Sequence, residues 1–509
     1  MSYKFEYSVN KNIGKLSWGM TVRDNCEVVS VVVGEMVETK ENFFVSGVWD
    51  GDFEKGEFET AELFCGCGVK IAGERILAST STHERQRLCF MKKENAIYVS
   101  NSLPFLLALT DEKLDINCDR YEAILCSIVN GLADYEKDIP LADSKVMHQL
   151  FCSDLIIEKD GSYTIKRKDL HRDFVNFDDY YTSMKNVCSE ILKNGKDSAR
   201  THRLDMITTT SSGYDSSSCA AVVYQIGCDT ACTFKDGKYD EDSGADVARQ
   251  IGYKKIIQAG CFEYKKRKDN LDAIFFSDGD LGFFMPFDAF RDYFEGKIVV
   301  TGISGGYMWD RDSQVNPDSK RHGYYFYLTN ISFIEHSLQC GYIMLPLVLY
   351  ASTAAGSVVK ISNSEEMQPW TMNTSYDRPI PRRILETSGV KRGTFATANR
   401  GVGVSFSRNF TKKQIKQKMT ENGYNSFIKW LETKGNNRWT VKRMCHMVKY
   451  HLSTLPEYLD FGFSKLKIPT NFRKLRGNLY PNPSLPSKMV IWSTEIMSEK
   501  YKTELNINN

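Results

Sequence analysis

The chain has 509 residues, 42% of them hydrophobic and 26% charged, with a formal net charge of +2. That length is too great for one ordinary core and implies two or three domains, while the composition excludes a disordered or fibrous class. The near-neutral charge gives no general pull toward nucleic acid, and no stretch reaches the roughly 18 apolar residues of a membrane span.

In chain order, the first third reads as β-rich. Glu27 to Val33 is a β-branched run closed by Gly34. Ala96–Ser100 and Leu155–Glu158 read as short strands. The turn signal Lys159-Asp160-Gly161-Ser162 followed by Tyr163-Thr164-Ile165 predicts a hairpin. Tyr180 to Leu192 has helical spacing, with Tyr181, Met184, Val187, Cys188 and Ile191 on one stripe, and Lys193 to Thr201 reads as a loop. Strands and helices then alternate. Strands are expected at Leu204–Thr210, Thr230–Phe234, Lys255–Gln258 and Lys297–Gly302, and helices at Ser216–Gln225 and Ser243–Ile251. This alternation argues for a parallel sheet with helices on its faces. Gly341 to Ala355 reads as a buried core segment, and Phe427–Thr433 and Lys488–Tyr501 as amphipathic helices.

The 14 cysteines show no metal-ligand cadence, and Cys65-Gly66-Cys67 is too tight for the usual zinc spacing. Met1-Ser2-Tyr3-Lys4 lacks an apolar signal region, so free thiols in a reducing cytoplasm are expected.

The stretch with chemical potential runs from Asp205 to Ser218. A β-branched strand passes into Thr210-Ser211-Ser212-Gly213-Tyr214-Asp215-Ser216 and then a helix carrying Ala220, Ala221, Val222 and Val223. A helix N-terminus offers unpaired N–H groups and the positive end of the helix dipole. Small residues let that backbone approach an anion, and a carboxylate in the first turn is placed to hold Mg²⁺ against phosphates. The same residue types also make ordinary turns and caps.

The loop is similar to the S-G-G-x-D-S signature of ATP pyrophosphatases. Ser211, Gly213, Asp215 and Ser216 match, and Ser212 stands for the first glycine. Its context resembles the asparagine-synthetase-like family, which includes β-lactam synthetases and lasso-peptide cyclases. The family's next strand is echoed by Ala231-Cys232-Thr233-Phe234, and its acidic turn and helix by Tyr239-Asp240-Glu241 and Ala245 to Gly252. Its Gly-rich loop is echoed by Val299 to Asp310. The family's loop aspartate falls near Gly306 here, with Asp310 and Asp312 as the nearest replacements. Tyr376 to Glu386 resembles the family's basic segment, and Asn399-Arg400-Gly401-Val402-Gly403 stands where its phosphate-binding lysine loop lies.

The resemblance implies an α/β protein in two parts. Residues 1–180 would form a β-rich, glutaminase-like (Ntn-type) domain, and residues 181–509 a parallel-sheet ATP-pyrophosphatase synthetase domain with a helical C-terminal part. The family's glutaminase uses a cysteine directly after the initiator methionine. This chain has Ser2 there and its first cysteine at Cys26, so no glutamine hydrolysis is expected. ATP and Mg²⁺ are the implied cofactors. Thr210 to Ser216, Phe234 and Gly302 would bind the nucleotide, and Asp215 and Asp310 the metal, with Asp215 and Arg400 as catalytic residues. The implied substrates are a small-molecule or peptide carboxylic acid and an amine, or ammonia that a partner protein would supply. Neither nucleic acid nor membrane is expected as a partner. A degenerate relative that only binds a nucleotide or partner is the alternative.

Overall fold

The β-branched run after Glu27 forms the strand Val28–Val33, with Val29, Val31 and Val33 buried on one face. It belongs to a seven-stranded sheet in the order Lys4–Val9, Val28–Val33, Trp18–Arg23, Ala96–Ser100, Leu88–Lys93, Val146–Leu150, Asp138–Pro140. A second, six-stranded sheet runs Tyr163–Arg167, Ser153–Ile157, Arg75–Ser79, Phe64–Ala72, Phe43–Trp49, Glu38–Thr39. The two pack face to face. Trp18, Val31 and Ile97 of the first meet Phe44, Val69 and Leu155 of the second in one apolar cluster. Each such side chain contributes about 1.5–3 kcal/mol on burial. The expected hairpin forms, with Glu158 N–H donating to Ser162 O at 2.9 Å. Gly161 takes φ +73° in its turn, where an added Cβ would also lie 1.9 Å from Asp24 Oδ1.

The structure is a computed structural model that describes residues 3–236, 243–269, 271–279, 282, 284–311, 333–372, 374, 376–396, 412–434 and 485–506. Over these residues the chain is α/β, with two β-rich sheets early in the sequence and a third, parallel sheet later.

The parallel sheet has the order Lys255–Gly260, Thr230–Asp236, Asp205–Thr209, Lys297–Thr301, Ile343–Pro346. The first four strands are those expected from the sequence. The fifth comes from the Gly341–Ala355 segment, which is buried as expected but turns into 3-10 helix at Leu347–Ala354.

Local chemistry shifted some boundaries. The helix expected at Tyr180–Leu192 spans Phe177–Gly195, because the Asn176 side chain caps it by accepting from Asp179 N–H and polar Lys193 to Gly195 continue its last turn. Lys193 to Gly195 are therefore helix, not loop. Tyr180 is the ring that lies fully buried and accepts from Trp309 Nε1 at 3.0 Å, while Tyr181 is only partly buried. The last helix, Leu485–Glu504, is not amphipathic over its first half, since residues 485–494 are buried apart from a half-buried Lys488. It lies between the helices Leu103–Thr110 and Leu271–Phe276. Tyr501 stacks on Phe105 at 4.7 Å and donates to the buried Glu335 carboxylate at 2.5 Å, which also accepts from Ser102 and Gln339. No helix among the described residues is long and apolar enough to cross a membrane. Every cysteine among them is a free thiol, most of them buried.

One buried acid gives the fold a measurable pH dependence. Asp272 is fully buried and accepts from Thr420 N–H at 3.2 Å and from the Thr420 hydroxyl. Burial pushes its pKa up to about 7 against the pull of those bonds. A raised carboxyl favours folding in its neutral form, so its contribution is complete below the unfolded pKa and lost as pH rises through 7. Asp272→Asn should therefore gain on wild type between about pH 4 and 7, by at most about 1.4 kcal/mol per pH unit. Urea unfolding of both proteins across that range checks this. A difference that stays flat would show that Asp272 does not carry the effect.

Candidate functional site

Chain order makes the third sheet's carboxyl edge the place to look. From the central strand Asp205–Thr209 the chain adds two strands to one side, then crosses over and adds two to the other. In an open parallel sheet, the crevice outside the strand ends at such a reversal is where ligands bind. The loops after Asp205–Thr209 and Lys297–Thr301 meet there, one carrying Ser211 to Asp215 and the other Gly302 to Asp310.

The first loop is held by its own hydroxyls. Ser211 Oγ accepts from Gly213 N–H at 3.1 Å and lies 2.8 Å from Ser216 Oγ. Ser217 Oγ donates to Ser211 O, and Thr210 N–H donates to Cys232 O at 2.8 Å. Ser212 is not among the residues with positive φ, so a serine replaces the signature glycine here without left-handed strain. Its carbonyl accepts from Ala396 N–H at 2.7 Å. The helix Asp215–Tyr224 starts after Tyr214, whose side chain makes no capping bond to the first-turn N–H groups.

The second loop presses on that helix start. A Cβ at Gly302 would lie 2.3 Å from Asp215 C and Ser216 N, and one at Gly305 would lie 2.6 Å from Asp215 Cγ. Only glycine permits this approach.

Three charged groups then converge. Arg378 Nη1 donates to both Asp215 oxygens at 2.7 and 2.8 Å. Burial lifts the Asp215 carboxyl above its ordinary value, Arg378 pulls it down, and Asp310 adds like-charge repulsion. The two expected metal ligands are thus brought close enough to interact. Arg378 lies over the Tyr376 ring at 4.8 Å, and Arg382, on the helix Pro379–Thr387, donates to the Tyr214 hydroxyl. Arg378 Nε, Arg382 Nε and Thr301 Oγ1 are buried and have no hydrogen-bond partner among the described residues. From the first third of the chain, Arg85 Nη2 donates to Ser304 Oγ at 2.7 Å, reaching into the glycine loop.

Comparison with protein-family models and with curated proteins gives no match to either. The arrangement therefore speaks through its own chemistry.

Not every expected residue joins the cluster. Thr210 to Ser216, Gly302 and Asp310 surround the crevice. The Phe234 side chain does not. It packs on Phe287 at 5.3 Å and Phe290 at 5.0 Å in an apolar cluster, and its backbone pairs with Ala259 in the sheet. Arg400, Asp312 and Tyr239 to Glu241 lie outside the described residues. Arg85, Arg378 and Arg382 were not singled out from the sequence. The last two sit in the basic segment Tyr376–Glu386, whose charge was the available signal. Arg85 left none, since it meets Ser304 from 219 positions away. A cavity of about 330 Å³ lies at the opposite, amino edge of the sheet, between Asp205, Thr230, Lys255 and Lys297, away from this chemistry.

Proposed function

We propose that the chain is an ATP-dependent ligase that joins a carboxylic acid to an amine or to ammonia, activating the acid as an adenylate and releasing pyrophosphate. The observation that carries the reading is the meeting of Asp215, Asp310, Arg378 and an uncapped helix N-terminus at the sheet's reversal point. Two carboxylates that repel each other suit a divalent cation, and the orphaned arginine nitrogens suit phosphate oxygens.

In this reading Asp215 and Asp310 hold Mg²⁺, which offsets phosphate charge when bound. The first-turn N–H groups of Asp215–Tyr224, with the Ser211 and Ser216 hydroxyls, cradle the pyrophosphate portion of ATP. Arg378 exchanges Asp215 for a phosphate oxygen as the nucleotide enters, and with Arg400 it balances the charge that grows on the leaving pyrophosphate. The acid's activated carbonyl then faces the amine. The two packed sheets of the first 180 residues serve as a glutaminase-like, Ntn-type partner without its cysteine, and residues 181–509 as the synthetase domain. Ammonia, where it is the nucleophile, comes from solution or from a partner. The composition suits a cytoplasmic enzyme.

ATP–pyrophosphate exchange with Mg²⁺ across a panel of carboxylic acids tests the proposal, with label entering ATP only when the right acid is present. ATP binding without exchange for any acid would leave a nucleotide-binding relative. No ATP binding would remove both readings.

A further inference from the structure

A second cluster lies in the same α/β region, away from the proposed ATP site. Asp288 is on the 3-10 turn Met285–Phe290, and His336 and Cys340 are on the helix Ile334–Cys340. A spacing of four puts the last two on one helix face. Asp288 Oδ1 lies 3.1 Å from His336 Nε2, and Cys340 Sγ lies 3.6 Å from the same nitrogen. All three donor atoms fall within 4.8 Å of one another. The residues are 3%, 1% and 4% exposed, and Phe275 stacks on the imidazole at 4.7 Å.

Two features set this apart from an ordinary buried histidine. First, a carboxylate and a thiol, each able to ligate a metal, crowd a single ring nitrogen. The other ring nitrogen, Nδ1, is taken by the Tyr342 hydroxyl at 2.9 Å. An outer partner of this kind orients the ring and turns Nε2 toward the other two groups. Second, the spacings match a coordination shell. Bonds of about 2.0–2.3 Å to tetrahedral zinc place neighbouring donors roughly 3.3–3.7 Å apart, close to the observed 3.1 and 3.6 Å.

The electrostatic surroundings permit a cation. Arg267 and Arg291 approach Asp288 only to 3.7 Å, and both also face Asp269. The two guanidiniums and two carboxylates cancel, so no net charge repels a metal.

We propose that Asp288, His336 and Cys340 form a buried site for zinc or a similar borderline-soft divalent ion. A thiolate, an imidazole and a carboxylate favour such an ion over Mg²⁺. The site is a staple. It ties the helix that leads into the edge strand Ile343–Pro346 to the turn whose Phe287 and Phe290 pack on Phe234.

The test uses the full-length chain, stripped with a chelator and titrated with Co²⁺. We expect a thiolate-to-cobalt absorption band in the near ultraviolet that saturates at about one equivalent, is displaced by Zn²⁺ and accompanies a rise in melting temperature. Cys340→Ser, close in shape, should abolish the band. Asp288→Asn, which keeps sulfur and nitrogen, should weaken Co²⁺ binding by about ten-fold or more. The variants' folding is read by circular dichroism. No band in the wild type, or a band of equal strength in both folded variants, would overturn the site. Should Cys340→Ser not fold, Asp288→Asn and the wild-type titration decide it. None of these readouts depends on the ligase proposal.

Discussion

Asp215→Asn is expected to lower acid-dependent ATP–pyrophosphate exchange by about 10³-fold while the protein stays folded. The carboxylate stands in the first turn of Asp215–Tyr224, within electrostatic reach of Asp310 and against the Gly302–Gly305 backbone. An amide keeps the shape and one acceptor for Arg378 but removes the charge that a metal needs. Asparagine suits the test better than alanine, because it keeps one hydrogen-bond acceptor for Arg378, whose side chain is 7% exposed, where alanine would keep none. Breaking a buried pair by removing one partner is itself destabilising, by about 3–5 kcal/mol. Exchange rates and a thermal melt on the same preparation separate chemistry from folding. Full exchange activity in Asp215→Asn would remove Asp215 from the site.

Gly302→Ala should be the most damaging single-methyl change at the site. The added carbon would sit 2.3 Å from Asp215 C and Ser216 N. Both are backbone atoms of a helix start, so no side chain can swing aside. Overpacking of this kind costs about 1–3 kcal/mol, and relief requires the two loops to separate. The expected result is a lower denaturation midpoint together with a loss of exchange of about 100-fold, since small misplacements at a reacting centre carry penalties of that order. Gly213→Ala is the control. Its nearest contact would be Ser211 Oγ at 3.3 Å, a side chain that can shift. If Gly302→Ala matched wild type in both measurements, the close approach would have no functional weight.

The sequence was most legible where local patterns carry the information. The runs Leu204–Thr210, Thr230–Phe234, Lys255–Gln258 and Lys297–Gly302 each became a strand, and the Ser211–Ser216 loop fell at a strand-to-helix turn. The fifth parallel strand, Ile343–Pro346, was hidden because a strand buried on both faces has no alternation to read. Tyr180 displaced Tyr181 from the core because a one-residue shift in helix phase leaves the same hydrophobic count. Which polar groups pair over long range left no local trace. Arg85 with Ser304, Arg378 with Asp215 and Asp288 with His336 are each set by tertiary packing. His336 and Cys340 did carry a signal in their four-residue spacing, which a search confined to cysteine pairs passes over.

The position of the last helix also sets a timetable. The Ser17 hydroxyl lies 2.8 Å from that of Tyr501, and the two are 484 positions apart. At a synthesis rate of about 5–20 residues per second, the first leaves the ribosome roughly 25–100 s before the second. During that interval the Leu103–Thr110 helix has no Tyr501 ring to cover Phe105. The early sheets can pair while translation continues, but the surface that receives Leu485–Glu504 stays open until that helix has been made. A region built from one stretch of the messenger therefore waits to be closed by a stretch read 484 codons later.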